Sequence, residues 1–156
     1  MPNYNAHSFT FVKQPIIFRL IKSILMIKFS YTILYVKNVS ASISFYETAF
    51  GFQRKFISPD EDYAELLTGE TTLSFASTRL ANSNLSDGFT ESNAASKPFG
   101  IEIGFAVEDV EKTLQNALNS GALLVEKPKI KPWGQTVAYV KDMDGFLIEI
   151  CTAMEG

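Results

Sequence analysis

The feature that most constrains this chain is an order of elements that occurs twice. A β-branched and aromatic run, Tyr31–Val36, precedes an amphipathic helical pattern that ends at Gly51, and three strand patterns follow. A second run, Ile101–Val107, precedes a helical pattern that ends at Gly121, and three strand patterns follow again. This tandem order predicts an α+β fold made of two βαβββ modules.

Capping and turn residues set the boundaries of the predicted elements. Asn38 or Ser40 is a candidate N-cap of the first helix, and Asp109 has the same place before the second. Gly69 and Gly145 lie in the turns that precede the last strand of each module. The strand patterns cover residues 31–36, 52–57, 63–67, 71–76, 101–107, 123–127, 135–141 and 146–151.

Length and charge divide the chain into an extension and one domain. With 156 residues, the chain is long enough for one domain with a sizeable core. All 17 acidic residues lie at or after Glu47, whereas five of the 14 basic residues precede it. We predict a basic extension over 1–25 and a single domain over 26–156. The domain comprises module one over 27–77, a linker rich in Asn and Ser over 78–98, and module two over 99–153.

The extension has an amphipathic pattern. Ile17, Leu20 and Ile24 fall on one helical face, and Arg19 and Lys22 lie opposite. These charges interrupt the apolar run, which disfavours a secretory signal or a membrane span. We favour a plain extension in front of the domain over the alternative, a basic helix that contacts a membrane surface or a partner.

Composition limits the classes of function. The net charge of −3 gives no reason to expect a nucleic-acid partner. Cys151 is the only cysteine, so no internal disulfide can form, which favours a reducing, cytoplasmic location. His7 is the only histidine and lies in the extension, so the domain has no imidazole to bind a metal or to activate a thiol.

Alternation along the strands predicts an open face on the second module. Side chains of a strand point alternately to the two faces of the sheet. The apolar side chains from Ile101 onward share one face of their strand, so Glu102 points to the other face. In the last strand, Ile148 and Ile150 share the core face, and Glu149 between them points away from it. A carboxylate between apolar strand residues is unusual, because burying an unpaired charge is costly. These two residues are therefore candidate site residues, with a glutamate on a solvated sheet face as the alternative for Glu149.

The duplication predicts the residues of the first module that share this face. Tyr31 and Ser74 hold the places equivalent to Glu102 and Glu149. Trp133 is a candidate aromatic wall, although an indole that anchors the Pro-Trp-Gly turn explains it equally well. The predicted ligand-binding residues are Tyr31, Ile33, Tyr35, Ser74, Trp133 and Leu147.

Two segments resemble the glyoxalase/bleomycin-resistance/extradiol-dioxygenase (vicinal oxygen chelate) superfamily. Residues 32–52, which begin Thr-Ile-Leu-Tyr-Val-Lys-Asn-Val and end Phe-Gly-Phe, resemble the opening of these proteins. Residues 132–149, which include Asp-Met-Asp-Gly-Phe-Leu-Ile-Glu, resemble their closing unit. The resemblance covers about residues 27–153. It implies two βαβββ modules in a cupped mixed sheet, often closed by a homodimer.

The resemblance also implies where a metal would bind. Metal-dependent members hold a divalent ion through His, Gln or Glu at four positions, which match Tyr31, Ser74, Glu102 and Glu149 here. Only Glu149 keeps a residue that those proteins use routinely at its place, and a tyrosine and a serine are poor ligands. We expect no tightly held metal and no other cofactor, with a weakly bound divalent metal on the two glutamates as the alternative.

Two classes of function follow. We favour a metal-independent protein that binds a small cationic or amine-bearing molecule in an acidic cup, as bleomycin-type resistance proteins sequester a ligand. The alternative is a divalent-metal-dependent lyase, isomerase or dioxygenase of glyoxalase type, in which Glu149 is a ligand or general base and Glu102 is its partner. A fold kept only for dimerisation or regulation is a third interpretation. Metal dependence separates the first two.

Overall fold

The structure, a computed structural model, describes residues 27–154, so the predicted extension over 1–25 lies outside it. The described chain forms two βαβββ modules, which confirms the predicted α+β class and the duplication. Module one contains β1 (Tyr31–Val36), α1 (Val39–Phe50), β2 (Gln53–Ile57), β3 (Tyr63–Leu67) and β4 (Thr72–Ser77). Module two contains β5 (Glu102–Ala106), α3 (Val110–Asn119), β6 (Leu123–Ile130), β7 (Thr136–Lys141) and β8 (Leu147–Cys151).

Each module folds into its own four-stranded mixed sheet. The strand orders are β1-β4-β3-β2 and β5-β8-β7-β6, with the first strand of each module parallel to the last. This pairing places Ile33 opposite Ser74 and Gly104 opposite Glu149. Residues on the first and last strands of a module are therefore neighbours, although about forty residues separate them in the sequence of each module.

The helices begin and end where capping predicts. The side chain of Asn38 accepts a hydrogen bond from the backbone N–H of Ala41 at 2.9 Å, so Asn38 rather than Ser40 caps α1. Asp109 caps α3 in the same way. Gly51, with φ of 74°, ends α1 in the left-handed conformation that glycine adopts without strain. No helix in residues 27–154 has the length and apolar composition that crossing a membrane requires.

The core lies between the two helices and one face of each sheet. Helices α1 and α3 pack against each other, and Ile43 and Tyr46 of α1 are fully buried. The predicted core residues Ile148 and Ile150 are also fully buried. Ile101, predicted on the same face, is instead exposed, because it precedes β5 and has no partner strand.

A buried polar link joins the modules. The phenol of Tyr46 donates to Asp142 Oδ2 at 2.8 Å, and the hydroxyl of Ser42 donates to Asp144 Oδ2 at 2.6 Å. Asp142 Oδ1 accepts the backbone N–H groups of Asp144 and Phe146 at 3.0 and 2.8 Å. Burial outweighs these hydrogen bonds and raises the pKa of Asp142 to about 6.

The linker between the modules is partly helical and contacts both. It contains α2 (Thr78–Asn84), which has no clear signal in the sequence because its residues are mostly polar. The ring of Phe89 packs on Tyr35 at a centroid distance of 4.8 Å. The Asn93 backbone lies so close to Gly145 that a Cβ atom there would stand 2.3 Å from its carbonyl carbon. Lys141 donates to two backbone carbonyls of the linker.

Candidate functional site

The second module carries a half-buried carboxylate in a fixed orientation. Glu149 on β8 lies directly opposite Tyr139 on β7, and the Tyr139 phenol donates to Glu149 Oε2 at 2.6 Å. This hydrogen bond holds the phenol proton and raises the pKa of Tyr139, with burial adding to the shift. The hydrogen bond therefore orients the Glu149 carboxylate on the open face of the sheet.

Three further residues surround this carboxylate. Glu102 begins β5 opposite Leu147 on β8, and Leu147 lies on the same strand and the same face as Glu149, so both predicted residues are close to this carboxylate. Burial raises the pKa of Cys151 to about 11, and the hydrogen bond to Glu149 and the charges of both glutamates add to the shift. The thiol is therefore protonated at neutral pH and is a poor nucleophile.

The acidic charge of this face is not neutralised by an ion pair. Among the described residues, no Lys or Arg nitrogen lies within 4.0 Å of the carboxylate of Glu102 or Glu149. The Lys131 ammonium group lies over the ring of Tyr139, 5.6 Å from its centroid. The face thus combines two carboxylates with an aromatic ring that already attracts a cation.

The first module repeats the tyrosine–glutamate pair with a different charge balance. The Tyr63 phenol donates to Glu65 Oε1 at 3.0 Å on β3. Lys55 Nζ lies 2.7 Å from Glu65 Oε2. The Lys55 hydrogen bond is the main reason that the pKa of Glu65 is lowered. The pair of module one lies within a single strand, whereas that of module two joins two neighbouring strands, and of the two glutamates only Glu149 lacks an ion pair among the described residues.

The predicted residues of module one differ in their access to solvent. Ser74 lies opposite Glu65 and is fully buried, and its hydroxyl has no hydrogen-bond partner among the described residues. Ile33, opposite Ser74, is half-buried. Tyr31 is 55% exposed at the start of β1. Of these three, only Tyr31 offers a largely accessible side chain.

The remaining predicted aromatic residues lie at the margins of the faces. Tyr35 is half-buried under the Phe89 ring of the linker. Trp133 lies in the β6–β7 turn, 64% exposed, and its indole N–H donates to Gln135 Oε1 at 2.8 Å. The structure brings Glu102, Leu147 and Glu149 together. Among the described residues, neither Tyr35 nor Trp133 has a ring contact or a hydrogen bond with any of these three.

The donor set does not fit a tightly bound transition metal. At the four matched positions, Ser74 is buried without access to an ion, and Tyr31 is a phenol on an exposed strand end. Glu149 shares its carboxylate with Tyr139. Within residues 27–154, no three His, Cys, Asp or Glu side chains cluster closely enough to hold a metal ion. Nickel, zinc and iron favour imidazole ligands, and the only histidine of the chain, His7, lies in the predicted extension.

Three residues of these faces are absent from the set that the sequence predicts. Tyr63, Glu65 and Tyr139 each pair with a neighbour on the open face of their sheet. The same alternation that singles out Glu149 also marks Glu65, because Ala64 and Leu66 on either side of it are buried. The signal is therefore present in the sequence, but on β3 and β7 rather than on the first and last strands of a module.

The fold and these faces define a glyoxalase/bleomycin-resistance type of structure. The chain is similar to a glyoxalase-related enzyme from Fulvimarina pelagi, with a TM-score of 0.70 and 18% identity over 82% of this chain and 89% of that chain. It is also similar to a glyoxalase/bleomycin resistance protein/dioxygenase family enzyme from Burkholderia phytofirmans PsJN, with a TM-score of 0.70 and 23% identity over 81% of this chain and 98% of that chain. At these identities the likeness establishes the fold alone.

The sequence comparison establishes the family. A family model described as a glyoxalase-like domain matches residues 29–155, and the chain belongs to this family. The uncharacterized protein YraH of Bacillus subtilis (strain 168) is 30% identical over 120 residues, which are 75% of this chain and 91% of that protein. The resemblance that the two sequence segments indicate is thereby confirmed.

Proposed function

We propose that this protein binds a small cationic or amine-bearing molecule on the open face of module two, without a tightly held metal. The observation that carries the proposal is the state of Glu149. Its carboxylate is half-buried, is oriented by Tyr139 at 2.6 Å, and has Glu102 nearby without a basic partner among the described residues. An ammonium group is the chemical complement of such a site.

The difference between the two modules supports this assignment. In module one the tyrosine-bonded carboxylate, Glu65, is neutralised by Lys55, so that face has little to gain from a ligand cation. In module two the ring that donates to Glu149 already has the Lys131 ammonium group over it, 5.6 Å from its centroid, which shows that this surface attracts a cation. Of the two tyrosine-bonded carboxylates, only Glu149 on module two is therefore left without a basic partner among the described residues.

The test compares charged and neutral forms of one probe. We would titrate the protein at pH 7 with 2-phenylethylamine and with its uncharged analogue 2-phenylethanol, by isothermal calorimetry. In the variant Glu149→Gln the amide oxygen still accepts the Tyr139 hydrogen bond, so the substitution removes charge and keeps shape. We expect the amine to bind this variant about tenfold more weakly, which corresponds to about 1.4 kcal/mol.

Glu65→Gln is the matched control, because it removes a carboxylate that also accepts a hydrogen bond from a tyrosine, Tyr63, but that Lys55 already neutralises. The control variant should bind the amine as the wild type does. Equal amine affinity in the wild type and in Glu149→Gln would refute the proposal.

The metal-dependent alternative has its own measurement. After dialysis against nickel, zinc, manganese and iron(II), bound metal is quantified in the wild type and in Glu149→Gln. About one equivalent of metal, lost in the variant, would replace the proposal with a metal-dependent lyase, isomerase or dioxygenase. The poor donor set at the four matched positions leads us to expect no retained metal.

We also propose a homodimer in a reducing, cytoplasmic environment. Large apolar side chains that stay exposed along and after β6 support the homodimer, because exposed apolar surface is typical of protein interfaces. The residues concerned are Leu123, Leu124, Val125, Ile130 and Trp133. Sedimentation equilibrium of the full chain measures the oligomeric state, and a monomer at micromolar concentration would contradict the dimer.

A further inference from the structure

Lys141 lies on the open face of module two without contacting a carboxylate. In the register of β7 and β8, Lys141 pairs with Leu147, and Tyr139 pairs with Glu149. Side chains two residues apart on a strand point to the same face, so Lys141 shares the face of Tyr139 and Glu149. Lys141 is therefore a diagonal neighbour of Glu149 on this strand pair.

A lysine in this place is able to reach the Glu149 carboxylate. Diagonal neighbours on an antiparallel strand pair lie about 7 to 8 Å apart, a distance that long side chains span. An ammonium group there is the direct counterpart of the charge that Glu149 leaves unpaired. Among the described residues, however, Lys141 forms no ion pair with any carboxylate.

The ammonium group of Lys141 is bound to the linker between the modules instead. Its Nζ donates to the backbone carbonyl of Ser96 at 2.8 Å and to that of Ala94. Two of the three hydrogen-bond donors of the ammonium group are therefore used by main-chain oxygen atoms. These hydrogen bonds keep the charge outside ion-pair distance of Glu149.

Contacts with both modules hold this part of the linker, residues 89–96, which we call the strap. Near one end, the ring of Phe89 packs on Tyr35 of module one at a centroid distance of 4.8 Å. Near the other end, the Asn93 backbone lies against Gly145 of module two, where an added Cβ atom would stand 2.3 Å from the Asn93 carbonyl carbon. The fold therefore fixes the position of the carbonyl groups that bind Lys141.

We infer that Lys141 is an internal cation of the open face of module two, and that the strap determines whether it competes with the ligand. With the strap in place, its carbonyl groups hold the ammonium group, and Glu149 is left for a ligand cation. With the strap displaced, Lys141 pairs with Glu149 and excludes the ligand. This inference rests on the proposed function and adds the regulation of the same site.

Displacing the strap tests this inference. Gly145→Ala puts a methyl group against the Asn93 backbone, next to the carbonyl group of Ala94 that binds Lys141. This variant should bind 2-phenylethylamine about fivefold more weakly than the wild type, because an ion pair of ordinary surface strength reduces the free fraction of Glu149 by about this factor. Isothermal calorimetry measures the affinities.

Two further variants control for strain and for folding. Gly69→Ala is the matched control, because Gly69 has a similar positive φ but open space at its Cβ, and it should bind the amine as the wild type does. Phe89→Ala releases the strap from Tyr35 and provides the same test if Gly145→Ala does not fold.

A second substitution separates the charge of Lys141 from the shape of the strap. Lys141→Gln removes the competing cation, so its combination with Gly145→Ala should restore the affinity for the amine to at least that of the wild type. Lys97→Gln is the matched control for the loss of a positive charge, because Lys97 is an exposed lysine of the same linker. It should leave the affinity of Gly145→Ala low.

The reactivity of Cys151 provides a readout that needs no ligand. Burial is the main reason that the pKa of the Cys151 thiol is raised, and the hydrogen bond and the charge of Glu149 add to the shift. An ion pair between Lys141 and Glu149 offsets this charge, so iodoacetamide at pH 8 should alkylate Gly145→Ala about threefold faster than the wild type. Adding Lys141→Gln should reverse this gain, whereas a gain caused by greater exposure of the thiol would persist.

The outcomes distinguish this inference from the proposed function. Changes in affinity and alkylation that Lys141→Gln reverses support the inference. Changes that persist without Lys141 overturn it, and amine binding that still depends on Glu149 then leaves the proposed function standing. If the wild type does not bind the amine, the proposed function is wrong. An alkylation rate that depends on Lys141 would then still support control of the charge by the strap, and one that does not would overturn both.

Discussion

Replacing Asp142 with Asn should change how the stability of this protein depends on pH. Asp142 is fully buried between the modules, where it accepts hydrogen bonds from Tyr46 and from two backbone N–H groups. Burial nevertheless raises its pKa from 3.8 to about 6. A carboxyl group with a raised pKa in the folded state favours folding most when it is protonated, so its contribution is complete below pH 3.8 and is lost as the pH rises through 6.

The magnitude follows from the size of the shift. One pKa unit corresponds to about 1.36 kcal/mol, so the shift of about two units amounts to about 3 kcal/mol of stability that the wild type loses between pH 4 and pH 7. The asparagine variant has no charge to bury, and its side-chain oxygen can still accept both backbone N–H groups. Its stability relative to the wild type should therefore rise by about 3 kcal/mol over this range.

Urea unfolding followed by tryptophan fluorescence, at intervals between pH 4 and pH 7.5, measures the difference. Asp109→Asn is the control, since this exposed cap tolerates Asn and its curve should stay parallel to that of the wild type. Tyr46→Phe removes one donor to the ionised carboxylate, and it should destabilise the protein more at pH 7 than at pH 4. A stability difference between Asp142→Asn and the wild type that does not vary with pH would show that the ionisation of Asp142 has no part in it.

Two further predictions concern backbone packing and thiol chemistry. A non-glycine residue in the left-handed backbone region costs about 1 to 2 kcal/mol of strain. Gly145→Ala should destabilise the protein by more than this, because the new Cβ atom would also stand 2.3 Å from the backbone of Asn93. Gly69→Ala, with a similar φ of 93° and open space, should show the strain alone, and equal losses in thermal unfolding would refute the close contact. Cys151 should react with iodoacetamide at pH 8 about 100-fold more slowly in the native protein than in urea, since its pKa is raised from 9.0 to about 11. Equal rates would contradict the buried, protonated thiol.

Local patterns in the sequence were enough to predict the fold. Alternation marked the strands, helical spacing marked α1 and α3, and the cap residues Asn38 and Asp109 marked where these helices begin. These signals are local, because capping and alternation depend on residues within a few positions of one another. Helix α2 was missed for the same reason, since its polar residues carry no apolar period.

The candidate site could be predicted only in part. Alternation placed Glu102 and Glu149 on the open face of module two. It also placed Ser74 on the corresponding face of module one, where the structure buries it. Whether a residue on this face is buried depends on which side chains of the neighbouring strands cover that residue. For Ser74 these neighbours are on β1 and β3, at places that sheet register decides.

The sequence by itself determined the two modules, their order of elements and the carboxylates that point away from the core, because each follows from short-range periodicity. Tertiary structure alone decided that Lys55 neutralises the Glu65 carboxylate of module one and that Tyr139 orients the Glu149 carboxylate of module two. These relations join side chains on different strands. Their distances are set by sheet register and by helix packing, which leave no local trace in the chain.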